Sequence, residues 1–274
     1  MDTLTPRKTI GLALSGGAAR GAAHLGVLRV LEREKIPIDV VAGVSAGSIA
    51  GALYCAGVPL DDMVRALDEF RWRHVASLTW PLRGLLSFQK LENYVIKWIG
   101  DAWFSELKKP FAVGTTDLLT GRAVIFTTGR VAPLVRASCS IPGLVVPLKY
   151  GEYWLCDGGV SGNLPTQAAR ALGADIVIGV DLMKPHVRKN FGVPGIGMTA
   201  LEILVRSSGG GVENADVVIA PALDNKTYSR FSRYKELMAL GEQAAEVMLP
   251  RLRAEIETLP LPARASPHDN DARV

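Results

Sequence analysis

An apolar run, Ile38 to Ala42, passes through Gly43-Val44-Ser45-Ala46-Gly47 into a helix of small residues, Ala46 to Ala56, which Gly57 ends. Few architectures accept that arrangement. A strand without polar alternation is buried on both faces, so the helix after it must turn sharply and pack back on the same sheet. The alternation recurs along the chain. Thr9 to Leu14 reads as a buried strand, and Arg20 to Glu34 as a helix whose apolar stripe is Leu25, Leu28, Val30 and Leu31. Phe111 to Thr115, Ala123 to Thr127, Tyr153 to Cys156, Ile176 to Val180 and Val217 to Ala220 read as further short strands, with helical stretches between several of them. The expected fold class is α/β, a three-layer α/β/α sandwich around a mostly parallel central sheet. Leu118-Leu119-Thr120-Gly121 reads as a hairpin turn, so the sheet is expected to be mixed.

The 274 residues are expected to form one domain over 1–259 and a disordered tail over 260–274, where Pro, Ala, Ser, Asp and Asn dominate. Residues 234 to 257 read as a last amphipathic helix interrupted at Pro250. A net charge of +4 is too mild to argue for a nucleic-acid partner. No apolar run reaches the roughly 18 residues that span a bilayer. The opening MDTLTPRKTI carries an acid at position 2 and does not read as a secretory signal. Cys55, Cys139 and Cys156 lack metal-ligand spacing and read as reduced thiols, which points to the cytoplasm.

Three segments could carry chemistry. Ser15-Gly16-Gly17-Ala18-Ala19-Arg20-Gly21 follows the first strand and opens the first helix, where bare N–H groups suit an anion. A dinucleotide site would need an acid at the end of the second strand, where Gly43-Val44-Ser45 stands. A P-loop would need Lys and Ser or Thr after Gly21, where Ala22 and Ala23 stand. An oxyanion hole and a plain packing turn remain. Gly43 to Gly47 matches G-x-S-x-G between strand and helix, which presents Ser45 as a nucleophile on a strained turn; the plainer alternative is a helix cap. A nucleophilic serine needs a base. His24 lies inside the first helix and reads as structural, His74 sits among arginines and tryptophans, His186 lies in a polar loop and His268 in the tail. Asp157-Gly158-Gly159 directly follows a strand, where catalytic groups of α/β proteins gather. Burial beside the serine would raise this carboxylate and help proton transfer.

The three segments in this order resemble the patatin-like phospholipases, which join a glycine-rich oxyanion segment, a G-x-S-x-G serine and a D-G-G or D-G-A aspartate. Gly114 to Gly121 is similar to the family's T-D-x-x-T-G turn, Ala137 to Gly143 to its A-S-x-S-I-P segment, and Asp157 to Pro165 (DGGVSGNLP) is also familiar from it. The resemblance runs from about Thr9 to Asp181, and its order and spacing are those of short bacterial members. Ala18 stands where the family's G-x-G-x-x-G has its central glycine; it keeps the N–H but adds a methyl that crowds the site and restricts the backbone. The resemblance implies a Ser45–Asp157 dyad without histidine, an oxyanion hole from Gly16, Gly17 and Ala18, and supporting roles for Arg20, Gly21, Gly43, Gly47, Gly158 and Gly159. Arg20 would hold the loop or meet a lipid phosphate; the alternative is an ordinary surface arginine of the helix. The implied activity is cleavage of fatty-acyl esters of phospholipids or lysophospholipids, with no metal and no cofactor. The same dyad would serve an acyl thioester or a small ester, and a non-catalytic patatin-fold regulatory protein is the other alternative.

Residues 71–90, RWRHVASLTWPLRGLLSFQK, hold Arg71, Arg73, Arg83 and Lys90 and no acid, and four of the five tryptophans fall between 72 and 103. Basic residues mixed with tryptophan suit an anionic membrane surface, so peripheral contact with the inner face of the membrane is expected. The alternative is a loop with solvated arginines. The resemblance places a lid here, with Pro81 and Gly84 allowing motion.

Overall fold

The computed structural model describes residues 7–80, 83–183, 193–207, 211–223 and 231–257. Its first half alternates: β1 (Ile10–Leu14), α1 (Ala22–Arg33), β2 (Val40–Val44), α2 (Ala46–Ala56) and α3 (Leu60–Glu69). A short helix, α4 (Trp72–Val75), and a two-stranded ribbon, β3 (Ser77–Leu78) with β4 (Leu86–Ser87), lead to α5 (Gln89–Ile99). Then come β5 (Phe111–Asp117), β6 (Ala123–Phe126), α6 (Val131–Ser138), β7 (Leu148–Tyr150) and β8 (Tyr153–Asp157). The chain continues through α7 (Thr166–Ala171), β9 (Ile176–Val180), α8 (Val193–Ser207), β10 (Val217–Ile219) and α9 (Tyr234–Glu257).

Eight strands form one mixed sheet in the order β10-β9-β1-β2-β5-β8-β7, with β6 also paired to β5. The run from β10 to β5 is parallel, and β6, β8 and β7 join antiparallel. The central strands are buried on both faces and separate two cores, because successive side chains point to opposite sides. Leu12, Leu14, Val41, Val113 and Ile178 face the larger core, with residues of α1, α2, α6 and α9. Ala13, Ala42, Ala112 and Val177 face a smaller one, where their short side chains let Ala168 and Ala169 of α7 approach closely. The three layers expected from the sequence are therefore present.

Two expectations need correction. α9 runs through Pro250 without a break. That proline lies on the exposed side, where water can satisfy the carbonyl that loses its donor. The stretch 71–90, for which a loop is the alternative reading, holds α4 and the ribbon. Gly84 in it serves close packing, not a hinge: a Cβ there would lie 2.6 Å from the Val146 nitrogen. The N–H groups of Leu85 and Leu86 both donate to the Leu144 carbonyl, which ties the returning strand down. Pro81, His186, His268 and the tail 260–274 lie outside the described residues.

Candidate active site

The geometry of the site begins with β5. Its Gly114 pairs with Val44 of β2, and its next residue, Thr115, pairs with Asp157 of β8. β6 occupies the opposite edge of β5, so β2 and β8 share one edge and meet end to end. The parallel strand arrives from one side and the antiparallel strand from the other. Their carboxyl ends therefore abut, which brings Ser45 and Asp157 together although 112 positions (157 minus 45) separate them.

Ser45 occupies φ 50° and ψ −122°, a left-handed conformation that strains a residue with a side chain. Packing holds it there. A Cβ on Gly43 would lie 2.5 Å from the Gly47 carbonyl oxygen, and one on Gly47 would lie 2.2 Å from that of Leu14, so only hydrogen fits at either position. The Ser45 N–H donates to Ser138 Oγ at 2.8 Å, and Ser138 Oγ donates to the Gly114 carbonyl at 2.6 Å. Ser48 Oγ donates to the Ser45 carbonyl at 2.7 Å. The Ser45 side chain makes no capping bond to α2, so its hydroxyl is not engaged as a helix cap.

That hydroxyl lies close enough to the Asp157 carboxylate to favour its ionised form. Burial pushes the Asp157 pKa up to about 6, against the pull of the Gly159 N–H and of Ser45. The Gly159 N–H reaches Asp157 Oδ1 at 2.8 Å, and the Asp157 N–H donates to the Ser140 carbonyl at 2.9 Å. Gly158 lies against the Gly114 carbonyl. The pair can pass a proton from hydroxyl to carboxylate. His24 is fully buried with Nε2 on the Ser15 carbonyl at 2.8 Å, and burial lowers its pKa to about 4, so it is a neutral structural group. His74 is exposed and bonds the Glu69 carbonyl.

The glycine-rich segment lies beside Ser45, with Gly16 nearly touching the serine Cβ and Gly21 against Ala46. Its N–H groups are not equivalent. The Gly16 N–H already donates to Asn163 Oδ1 at 3.2 Å. Those of Gly17 and Ala18 donate to no acceptor among the described residues. Ala18 sits at φ 49°, the region that favours glycine. Arg20 is buried and its Nη1 donates to the Leu182 carbonyl at 3.3 Å, so it holds the loop. Leu182 in turn donates to Ser15 Oγ at 3.0 Å.

Asn163 and Ser138 were not singled out by sequence reasoning. Both stand inside quoted segments, DGGVSGNLP and A-S-x-S-I-P, and those segments were the available signal. The T-D-x-x-T-G turn also gains a reason. Asp117 accepts from the Leu119 and Trp154 N–H groups and from the Thr120 hydroxyl, which fixes the β5–β6 turn. Among the described residues, no group of three or more His, Cys, Asp or Glu is placed to hold a metal ion.

An apolar cavity of about 70 Å³ opens next to this site. Ala18, Ala22 and Leu25 line one side, Ala46, Ala50 and Leu53 another. Phe70 and Phe231 complete the wall, with ring centroids 4.6 Å apart, and Trp72 packs on Phe231 at 5.2 Å. The basic stretch therefore touches the cavity wall. Beyond it, Leu78 and Trp80 are 86% and 78% exposed. Arg83 stacks over Trp154 at 4.6 Å, beside exposed Leu118 and Leu119. Among the described residues, no helix is long and apolar enough to cross a membrane.

Known proteins resemble this chain in sequence or fold. Lysophospholipase NTE1 of Pyricularia oryzae is 30% identical over 282 residues, covering 90% of this chain and 19% of that protein. Lysophospholipase NTE1 of Mycosarcoma maydis is 36% identical over 180 residues, covering 64% of this chain and 10% of that protein. The chain thus spans at most about a fifth of these curated relatives. Both are fungal, whereas the motif spacing resembles short bacterial members. VipD from Legionella pneumophila has a similar fold, with a TM-score of 0.52 at 16% identity over 88% of this chain and 67% of that one. A family model described as patatin-like phospholipase matches residues 12–170, a span that holds Ser45, Asp157 and the glycine-rich segment. With more than half of its length inside that match, the chain belongs to the patatin-like phospholipase family.

Proposed function

We propose that this chain is a serine acyl hydrolase that cleaves fatty-acyl esters of lysophospholipids or phospholipids. The observation that carries the reading is the register on β5, where Val44 of β2 and Asp157 of β8 pair with the adjacent residues Gly114 and Thr115, which sets Ser45 beside a buried carboxylate. Asp157 takes the Ser45 proton as Oγ attacks the ester carbonyl carbon. The carbonyl π electrons move to oxygen, and the N–H groups of Gly17 and Ala18 stabilise that oxyanion. Collapse of the intermediate expels the alcohol, which takes the proton back from Asp157 and leaves an acyl-Ser45 ester. Water then repeats the sequence, with Asp157 as base, and releases the fatty acid. Gly16 supports this hole through Asn163 instead of donating to the oxyanion.

The apolar cavity beside Ser45 suits a hydrocarbon tail, and the name of the fungal relatives, lysophospholipase, agrees with a lipid substrate. Trp80, Leu78 and the surrounding cations would rest on an anionic membrane, reached from the cytoplasmic side. The three buried thiols fit a reducing compartment.

Labelling with a fluorophosphonate probe tests the nucleophile. Wild type should be labelled and should release fatty acid from lysophospholipid, and Ser45→Ala should do neither while melting like wild type. Hydrolysis by Ser45→Ala within tenfold of wild type would remove Ser45 from the role. Faster turnover of an acyl thioester than of any lipid ester would move the substrate class.

A further inference from the structure

Resting on the hydrolase reading, we infer that Ala50 and Leu53 of α2, with Leu25 of α1 beside them, set which acyl-chain lengths the cavity accepts. The two helices start at the reacting groups and run away from them. Gly21 packs on Ala46, so the first turns of α1 and α2 lie side by side at the mouth. From there the lining changes with depth. On the α1 side it passes from Ala18, in the turn before the helix, to Ala22 and Leu25, and on α2 from Ala46 to Ala50 to Leu53. Each step is about one helical turn. Small side chains at Ala18, Ala22, Ala46 and Ala50 leave the channel its space beside the bulkier Ile49, and the paired leucines form the floor. Ala22, Ala50, Leu25 and Leu53 are all buried, so this floor is part of the folded core and not a surface feature.

The depth follows from helix geometry. Ala46 to Leu53 is seven residues, or roughly 10 Å at about 1.5 Å per residue. A fully extended covalent chain advances roughly 1.1–1.2 Å per bond, judged from the peptide backbone. That distance bounds the tail above the floor at roughly eight or nine bonds; the cavity of about 70 Å³ holds fewer until its walls part, so longer tails press against Leu25 and Leu53. Met63 of α3, also buried, lines the same cavity from its own helix.

Two variants move the floor in opposite directions. Ala50→Leu fills existing space one turn nearer Ser45, so the fold should keep or raise its melting temperature. With 4-nitrophenyl esters of stepped saturated chain length, its ratio of long-chain to short-chain kcat/KM should fall on the order of tenfold or more, the scale of a methylene misfit in an apolar pocket. Leu53→Ala should shift the preferred length upward, and Leu53→Val serves if Leu53→Ala does not fold. Fatty-acid binding by the Ser45→Ala protein, measured by calorimetry over the same lengths, reads the pocket without turnover. The length that binds best should shorten with Ala50→Leu and lengthen with Leu53→Ala. Equal changes at every chain length, or profiles that stay put in folded variants, would overturn the inference while leaving the hydrolase reading intact. Length-dependent binding by a wild type that cleaves no ester would do the reverse.

Discussion

The turn at Ser45 and the ribbon of β3 and β4 both join larger elements of the fold, and they are built on opposite terms. Around Ser45 the glycines carry hydrogen because neighbouring backbone leaves no room, and one hydrogen bond donated to Ser138 and another accepted from Ser48 fix the strained residue on both sides. The ribbon is held along its returning strand by Leu144, yet Leu78 and Trp80 face outward. Strain and burial at the first region are what a preorganised reacting group requires. Exposed large apolar groups at the second cost solubility and find a use only against another apolar phase. The contrast implies that substitutions in the first region change chemistry and stability together. Those in the second should change where the protein sits while leaving the chemistry alone.

Asp157→Asn is the most severe way to sharpen this comparison. The amide cannot take the Ser45 proton, so the rate should fall by about 10²- to 10⁴-fold. Stability should move the other way. Burial raises the Asp157 pKa from an ordinary value of about 4 to about 6. Between those values the folded chain binds the proton more tightly than the unfolded chain does. The fold therefore loses stability as pH rises through that window, and the loss is complete above it. Removing the charge should raise the melting temperature at neutral pH, by at most about 3 kcal/mol of stability, and the gain should vanish near pH 4. Wild-type turnover should fall as pH drops through about 6, because the base becomes protonated. A less stable Asp157→Asn at neutral pH would show that the charge is compensated in the fold.

Replacing Arg71, Arg73, Arg83 and Lys90 with Gln addresses the second region. Each cation near an anionic surface contributes about 1 kcal/mol, so vesicle binding should weaken by up to roughly 4 kcal/mol. Binding by wild type should also weaken as salt rises. Turnover of a short soluble ester should hold. Equal vesicle binding by the two proteins would make the ribbon an ordinary surface feature. Joint loss of binding and soluble-ester turnover would mean that the stretch supports the cavity wall, which Trp72 touches through Phe231.

The two regions also differ in how far the sequence reveals them. Val40 to Val44 and its neighbours are legible because double burial writes an unbroken apolar run, and Ser45 because its glycine neighbours mark the turn. The strands β3, β4 and β7 are only two or three residues long and half-exposed, too short to show a period. Contacts made through space were hidden in a different way. Nothing local says that Asn163 takes the Gly16 N–H, or that Ser138 takes that of Ser45, because the first joins the loop after β1 to the loop after β8 and the second joins the end of β2 to α6. Nor does the sequence say that Arg20 is buried with its guanidinium on the Leu182 carbonyl, which removes the surface-arginine alternative and fits a loop-holding role.

Ala18→Gly is the smallest test, and it probes whether the first region is held by packing or only tolerates its strain. Ala18 pairs a left-handed φ of 49° with a methyl group that lines the cavity. An L-residue there costs roughly 1–2 kcal/mol. Glycine would remove that cost, and its greater freedom in the unfolded chain would return about 0.4–1 kcal/mol. The net gain should be near 1 kcal/mol, or roughly 2–4 °C in melting temperature for a chain of this size. The Ala18 N–H would keep its place, so turnover of a short ester should stay within a few-fold of wild type. Ala18→Val should do the opposite, because a branched side chain at positive φ is a severe misfit. A clear loss of stability in Ala18→Gly would show that the methyl's contacts outweigh its strain. A large fall in rate without loss of stability would show instead that alanine holds the N–H in place, making rigidity at this position part of the chemistry.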